Sequence, residues 1–269
     1  MNAPDGFPTN ALFGFIKTLE KMRARVKPTH LAVIWDGGLD EERTEALGEY
    51  KEARDPMPDD LELQLDAIVE WLNAAGLCSW CEDGVEADDV IATAAWQAEA
   101  EGLPVVIASS DKDFFQLLKP NIRQLNPNDK TGTLWEAEQV IAKTGVAPVQ
   151  IIDWLSLVGD AVDGIPGVPG VGPKTAAKLL NEYKTAEIIY QNLDAISSDK
   201  LRAKMAAAEA DVWRNQKLVR LKKMPQWTVP LVDLIPGEQD FATLHAQYSR
   251  WNFRSLLNEL DLGRQGELL

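Results

Sequence analysis

Apolar positions recur at helical spacing over residues 13–26 and stop at Lys27-Pro-Thr. The next run, His30-Leu-Ala-Val-Ile-Trp, is nearly continuous and is bounded by Pro28 and Asp36-Gly-Gly. It reads as a buried parallel strand. Asp36 then falls at its carboxyl end, where open α/β sheets place ligand-binding groups. Residues 61–75 follow as an amphipathic helix and residues 77–81 as a short strand. Gly84-Val-Glu-Ala-Asp-Asp-Val-Ile-Ala opens another helix, with Glu86, Asp88 and Asp89 in its first turn. Helix N-termini favour acids, so one or two need no further reason, but three in four residues repel one another unless a cation sits there. Leu103-Pro-Val-Val-Ile-Ala-Ser-Ser is again a buried strand, closed by Asp111-Lys-Asp113.

Alternating strands and helices over residues 29–118 predict a parallel sheet with right-handed crossovers, the three acid groups converging on one sheet edge. The polar turn Asn126-Pro-Asn-Asp-Lys-Thr-Gly predicts a hairpin, and helical spacing resumes from Glu136 and again over residues 195–220 and 241–260.

Residues 155–180 join two unlike chemistries. If the helical pattern of residues 153–158 continues, Asp160 and Asp163 share one face and could hold a metal. A glycine-rich loop then feeds a helix carrying Lys174 and Lys178, and backbone N–H groups at a helix N-terminus suit a phosphate. A nucleotide-binding P-loop does not match, because Pro173 separates Gly172 from Lys174 and removes a donor. A plain helix–turn–helix connection, with Pro173 merely starting a helix, stands as the alternative.

Composition changes this picture in two places. The 269 residues suit one large or two modest domains, and their formal charge of −15 argues against nucleic acid. The objection weakens if clustered carboxylates supply much of that charge and a divalent metal neutralises them. No apolar run approaches a membrane span and nothing resembles a cleavable signal, so a soluble cytoplasmic protein is expected. Cys78 and Cys81 form a lone Cys-x-x-Cys, and His30 and His245 stand far apart in sequence, which argues against zinc and against a histidine-activated nucleophile. Residues 39–54 are charged and weakly helical. They suit either a solvated helix or a segment gripping single-stranded nucleic acid, with Tyr50 stacking on a base and Lys51 and Arg54 meeting phosphates.

Four motifs carry a family resemblance: Glu86-Ala-Asp-Asp, Ser110-Asp-Lys-Asp, Val158-Gly-Asp-Ala-Val-Asp-Gly-Ile-Pro-Gly and Gly170-Val-Gly-Pro-Lys-Thr-Ala. In order and spacing they resemble the 5′-nuclease domain at the front of bacterial DNA polymerase I, a relative of flap endonucleases. The likeness runs from Pro8-Thr-Asn-Ala-Leu-Phe-Gly-Phe to Phe253-Arg-Ser-Leu-Leu. It implies an α/β fold: a PIN-like parallel sheet core over residues 1–150, with a helical arch near 39–60, and a helix–three-turn–helix module with further helices over 151–269. It also implies cutting of DNA at 5′ flaps and 5′ ends by two Mg²⁺ ions, Mn²⁺ substituting.

By the same resemblance Asp36, Glu86, Asp88 and Asp111 form the inner metal shell, and Asp89, Asp113, Asp160 and Asp163 the remaining ligands. Lys51 meets the scissile phosphate with Arg54 beside it. Arg43, Tyr50, Lys112, Gly167, Gly170, Gly172, Lys174, Thr175 and Lys178 contact DNA, with K⁺ at the glycine-rich loop in relatives. The expected form is a monomer, partnered by a DNA polymerase fused or encoded separately.

The family normally opens with a hydrophobic strand ending in Asp, where this chain has Met1-Asn-Ala-Pro-Asp-Gly; Asp5, in a turn sequence, is no convincing substitute. The expectation is a start upstream of Met1, adding about 20 residues and a strand of the usual five to six. With no polymerase segment after Leu269, a stand-alone nuclease or an excised domain is expected. Two other classes stay open: a DNA-structure-binding protein with impaired catalysis, and a PIN-type ribonuclease, for which the long helical module is an awkward extra.

Overall fold

The helical periodicity that begins the chain becomes α1 (Asn10–Val26), which stops where Lys27 turns into the left-handed region at φ 50°. The structure, a computed structural model, describes residues 1–52 and 56–267. After α1 come β1 (Ala32–Ile34), α2 (Glu41–Ala46), α3 (Asp59–Ala74), β2 (Cys78–Trp80), α4 (Ala87–Ala100), β3 (Val105–Ala108), β4 (Ile122–Leu125) and β5 (Leu134–Trp135). Then follow α5 (Ala137–Thr144), α6 (Ile151–Val158), β6 (Gly159–Asp160), β7 (Ile165–Pro166), α7 (Pro173–Tyr183), α8 (Ala186–Gln191), α9 (Asp199–Ala207), α10 (Glu209–Val219), α11 (Phe241–Arg250) and α12 (Arg254–Glu267). These elements form two compact units that interleave along the chain. Among the described residues no single helix is long and apolar enough to cross a membrane.

The first unit gathers α1, β1, α3, β2, α11 and α12. Ile68, Trp71 and Leu72 of α3 share one buried cluster with Leu12, Ile16 and Leu19 of α1 and Leu244 and Tyr248 of α11. The Trp71 indole donates to the Tyr248 hydroxyl at 2.8 Å, so the one polar atom of that ring is satisfied inside the core. Gln64 does the work of an N-cap for α1, its Oε1 accepting from the Ala11 and Leu12 N–H groups at 2.8 and 3.1 Å. Strands β1 and β2 pair in parallel, Ala32 opposite Cys78 and Ile34 opposite Trp80. The six-residue buried strand expected at 30–35 is corrected to three half-buried residues. Among the described residues β2 is its one strand neighbour, and Asp36-Gly-Gly ends it. Asp5 sits in the expected turn, exposed, its Oδ1 accepting from the Phe7 N–H at 3.1 Å.

In the second unit β3, β4 and β5 form a sheet in that order. Val105 faces Ile122 in parallel, and Leu125 faces Leu134 antiparallel. The predicted single parallel sheet is therefore corrected to parallel pairs in separate sheets, one with an antiparallel edge. The polar turn after β4 makes a hairpin, and a hairpin reverses the strand. Ile107 and Ile122 of this sheet share a buried cluster with Phe114, Leu117 and Ala92. Leu155 and Leu157 of α6, Leu180 of α7 and Val212 and Leu218 of α10 form a helical core.

Helix α6 does not continue to Asp160, as one reading of the spacing required. Gly159 ends it at φ 80°, a conformation that favours glycine. A Cβ on Gly159 would lie 2.3 Å from the Gly167 nitrogen, and one on Gly167 2.1 Å from the Val158 oxygen. Two backbones cross here, so Gly167 is required for packing before any contact with a ligand. Asn215 of α10, fully buried, locks the crossing by donating to the carbonyls of Ser156 (3.1 Å) and Pro166 (2.6 Å). The long helical patterns at 195–220 and 241–260 each break in two, at Ala208 and at Trp251–Phe253, where Asn252 takes φ 57°.

Replacing Asn215 by Leu deletes both donors and strands two carbonyls. The urea unfolding midpoint should fall by the equivalent of about 1–3 kcal/mol. An unchanged midpoint would show that the crossing holds without it.

Candidate functional site

All eight acids picked out from sequence, from Asp36 to Asp163, belong to the second unit. Glu86 occupies the N-cap position of α4 with extended backbone, φ −72° and ψ 134°, yet its side chain caps nothing. Its Oε2 instead accepts from Arg43 Nη1 at 2.7 Å, Lys51 Nζ at 2.9 Å and the Tyr50 hydroxyl at 3.3 Å, and Oε1 accepts from the Asp40 N–H at 3.3 Å. Glu86, Arg43, Tyr50 and Lys51 are 2, 4, 3 and 6% exposed. Asp89, one turn along, accepts from both terminal nitrogens of Arg43, at 2.8 and 3.0 Å, and from the Lys222 N–H at 2.7 Å.

Burial works against the Arg43 charge, but hydrogen bonding and attraction to Asp89, then Glu86, hold the guanidinium firmly protonated. Burial and the Glu86 charge together push the Tyr50 phenol well above its ordinary range.

The exposed gripping surface expected from Arg43, Tyr50 and Lys51 is thus not what the structure presents. Their side chains turn inward, because a buried carboxylate without a partner is far costlier than one holding the chain's own cation. The segment is also docked by its backbone. The Lys51 N–H donates to the Asp163 carbonyl at 3.0 Å, and Gly164 lies so close that a Cβ would stand 2.7 Å from the Glu49 oxygen. Lys51 itself has φ 58°, unusual for a residue with a side chain. Arg54 lies outside the described residues.

Two of the other acids are pushed toward their protonated form. Asp88 is half-buried, and burial first, then repulsion from Asp111, Glu86 and Asp36, pushes its carboxyl up to about 7. Asp113 is driven well above the usual carboxylate range by burial, then by Asp111, Asp160 and Asp163. Two acid groups therefore share Asp111. The loop after β3 is folded by its own side chains: Asp111 N–H donates to Ser109 Oγ at 3.1 Å and Asp113 N–H to Asp111 Oδ1 at 2.9 Å. Lys112 reaches Asp160 at 2.5 Å; burial works against its charge, but this bond and the charges of Asp160, Asp113 and Asp111 together raise the ammonium's pKa. Asp160 and Asp163 meet this group from the turn after Gly159, where Asp160 Oδ1 accepts from the Val162 N–H at 3.1 Å. Asp36 is exposed, with the Gly38 N–H on its Oδ1 at 3.0 Å.

These donors fit a hard divalent cation: all are carboxylate oxygens, they repel one another, and the buried Asp113 Oδ1 has no hydrogen-bond partner among the described residues. They are not gathered into a finished cage. Among the described residues no three acidic, histidine or cysteine side chains stand close enough to enclose an ion, in keeping with Glu86 and Asp160 being turned toward Arg43, Lys51 and Lys112.

At the glycine-rich loop, Gly172 is the extended N-cap of α7, with nothing within 4 Å of where a Cβ would lie. Lys174 and Lys178 are exposed and four residues apart on that helix, with Thr175 half-buried between them. Gly170 takes φ 82°, and the Lys204 ammonium lies 2.6 Å from the place of its missing Cβ. Sequence reasoning missed Lys204, because nothing in the pattern joins α9 to this loop. It also missed Asp40 and Lys222. Asp40 caps α2 by accepting from the Arg43 N–H at 2.9 Å, and Lys222 Nζ holds both its oxygens at 2.8 Å. An Asp directly before Glu41-Glu42 was a readable cap signal.

Residues 1–145 match the 5′-3′ exonuclease N-terminal resolvase-like domain family, and residues 146–242 match the 5′-3′ exonuclease C-terminal SAM fold. A 5′-3′ exonuclease of Aquifex aeolicus is 37% identical over 262 residues, which is 97% of this chain and 88% of that one. DNA polymerase I of Pseudomonas aeruginosa is 36% identical over 274 residues, but the chain spans only 30% of the polymerase's length. In fold, the chain resembles a bacteriophage T5 D15 flap endonuclease variant in a pseudo-enzyme–product complex with DNA and metal ions. The TM-score is 0.66 at 21% identity, covering 94% of this chain and 91% of that one.

The Asp88 shift has a measurable sign. Its folded-state pKa, about 7, stands above the ordinary carboxylate value, so the folded state holds a proton that the unfolded state releases. Stability from this group is present at about pH 4 and is lost as pH rises through 7. A divalent cation held by these carboxylates would favour their deprotonated form, so millimolar Mg²⁺ should raise Tm more at pH 8 than at pH 5.5. Equal increments at the two pH values would contradict it.

Proposed function

The chain belongs to the 5′-3′ exonuclease family, and on that premise we propose that it hydrolyses DNA phosphodiesters at 5′ ends and 5′ flaps, with divalent cations held among its carboxylates. The observation that supports this most is the pair of acid groups sharing Asp111, in which burial and mutual repulsion raise the Asp88 and Asp113 carboxyls above the ordinary range. Asp36, Glu86, Asp88 and Asp111 would hold one cation, and Asp113, Asp160 and Asp163, across Asp111, a second. Mg²⁺, or Mn²⁺ in its place, supplies charge stabilisation and an acidified water when bound.

The chain's own residues do the rest. Lys51, which pairs with the Glu86 carboxylate, would exchange that partner for a phosphoryl oxygen on which charge develops. Arg43 stays on Asp89 and keeps the start of α4 in place. Lys174 and Lys178, with the N–H groups that open α7, meet duplex phosphates without reading sequence. K⁺ on the loop carbonyls, a monomeric state and a partnering polymerase belong to the same proposal; DNA polymerase I relatives carry the matching segment within a longer chain.

Asp88→Asn and Asp111→Asn should each remove most Mg²⁺-dependent cleavage of a 5′-flap duplex while leaving flap binding in Ca²⁺ intact. Cleavage at the wild-type rate in the double variant would sink the assignment. The basic residues separate by readout. Lys51→Ala should lower the single-turnover rate more than DNA affinity. Lys174→Ala and Lys178→Ala should weaken binding to any sequence and each flatten the slope of log K against log salt by about one unit or less. The reverse split would exchange their roles.

A further inference from the structure

Gln124 is a polar side chain in a place that packing reserves for hydrocarbon. It lies on β4, 3% exposed, on the same strand face as the fully buried Ile122 and opposite Ile107 of β3. Its Nε2 donates to the Ser109 carbonyl at 2.8 Å and to the Asp111 carbonyl at 2.7 Å, so both amide hydrogens serve one loop. The other end of the amide gains nothing: Oε1 is buried with no hydrogen-bond partner among the described residues. A buried acceptor left unmade is destabilising, so the amide is not explained by the strand it sits on.

We propose that Gln124 is a positioning residue that holds the Ser109–Asp111 backbone so that Asp111 and Asp113 present their carboxylates together. The bonds form a chain from the sheet to the acids. Gln124 ties down the carbonyls of Ser109 and Asp111. The Asp111 N–H then meets Ser109 Oγ, and the Asp113 N–H meets Asp111 Oδ1. With both carbonyls fixed to β4, the peptide planes flanking Ser110 and Asp111 cannot turn over, and the spacing of the two acids becomes a property of the sheet. A hydrocarbon at position 124 would leave the same strand in place and release the loop. The role rests on the proposed holding of divalent cations by Asp111 and Asp113.

The test uses the full chain and Mn²⁺ alone as the probe, followed by calorimetry. Gln124→Leu keeps the volume and removes both donors, and it should weaken Mn²⁺ binding about tenfold to a hundredfold, the usual effect of losing a group that orients a metal ligand. In flap cleavage the metal concentration for half-maximal rate should rise by a similar factor, while KM for DNA at saturating metal stays put; a general loss of structure would move both. Mn²⁺ binding to a folded Gln124→Leu chain with wild-type affinity would overturn the role of Gln124 and leave the cation site standing. No Mn²⁺ binding by the wild-type chain would overturn both. Should the variant fail to fold, nuclear magnetic resonance on the wild type decides. Side-chain amide protons of Gln124 that exchange slowly and shift on adding Mg²⁺ support the tether, and protons that exchange freely overturn it.

Discussion

The second unit depends on how the Glu86 carboxylate is neutralised. Taking a carboxylate almost wholly out of water costs several kcal/mol even after relaxation, and only close, well-aligned donors repay it. Arg43, Lys51 and Tyr50 all converge on one oxygen of Glu86. Arg43 then forks to Asp89 and donates to the Arg220 carbonyl at 3.0 Å. Asp89 also takes the Lys222 N–H, and Thr93, one turn on, takes the Met224 N–H at 2.8 Å. Helix α2, the start of α4 and the segment after α10 are thus joined through one guanidinium and two acids. Loss of Arg43 would leave Asp89 buried with a backbone N–H in place of a guanidinium and Glu86 with Lys51 and Tyr50, so this contact fixes the local architecture as much as its chemistry.

The contrast between the two sides of α4's first turn gives the charge its meaning. Asp89 faces a guanidinium and a backbone N–H and is satisfied inside the protein. Asp88, its neighbour in sequence, faces Asp111, Glu86 and Asp36, with Lys51 as the cation pulling the other way. Consecutive helical residues point about 100° apart, so one acid can anchor the fold while the next is held for a ligand. A net charge of −15 reads at first as repulsion of nucleic acid. Part of it is concentrated in acids that crowd one another, as the raised Asp88 and Asp113 carboxyls record.

Much of this was legible in the residues. Acids directly after apolar runs located Asp36 and Asp111, and the crowding of Glu86, Asp88 and Asp89 pointed to a cation. That the cation is the chain's own Arg43 or Lys51 was not legible, because the partners lie 35 to 46 residues apart and no local rule joins them. The end of α6 was hidden for a different reason: Gly159 stops the helix through a positive φ and a backbone crossing with Gly167 that only the folded chain reveals. Gln124 carried a signal that went unused. A lone amide on the inward face of a strand is a departure from pattern, and such departures collect where a structure serves something besides its own stability.

The two basic residues on Glu86 are not equally bound to stay. Arg43 has a planar fork spread over two acids and a carbonyl, so moving it breaks several aligned bonds together. Lys51 makes one ion pair to Glu86 through a flexible stem, from a backbone held at φ 58°. That conformation stores about 1–3 kcal/mol, which leaving it would return. A divalent cation held beside Glu86 would repel the Lys51 ammonium and replace its attraction, so this is the ion pair that such binding would weaken. The Lys51 N–H on the Asp163 carbonyl ties the segment by its backbone to the turn that carries the second acid group, so residues 49–51 bridge the two groups.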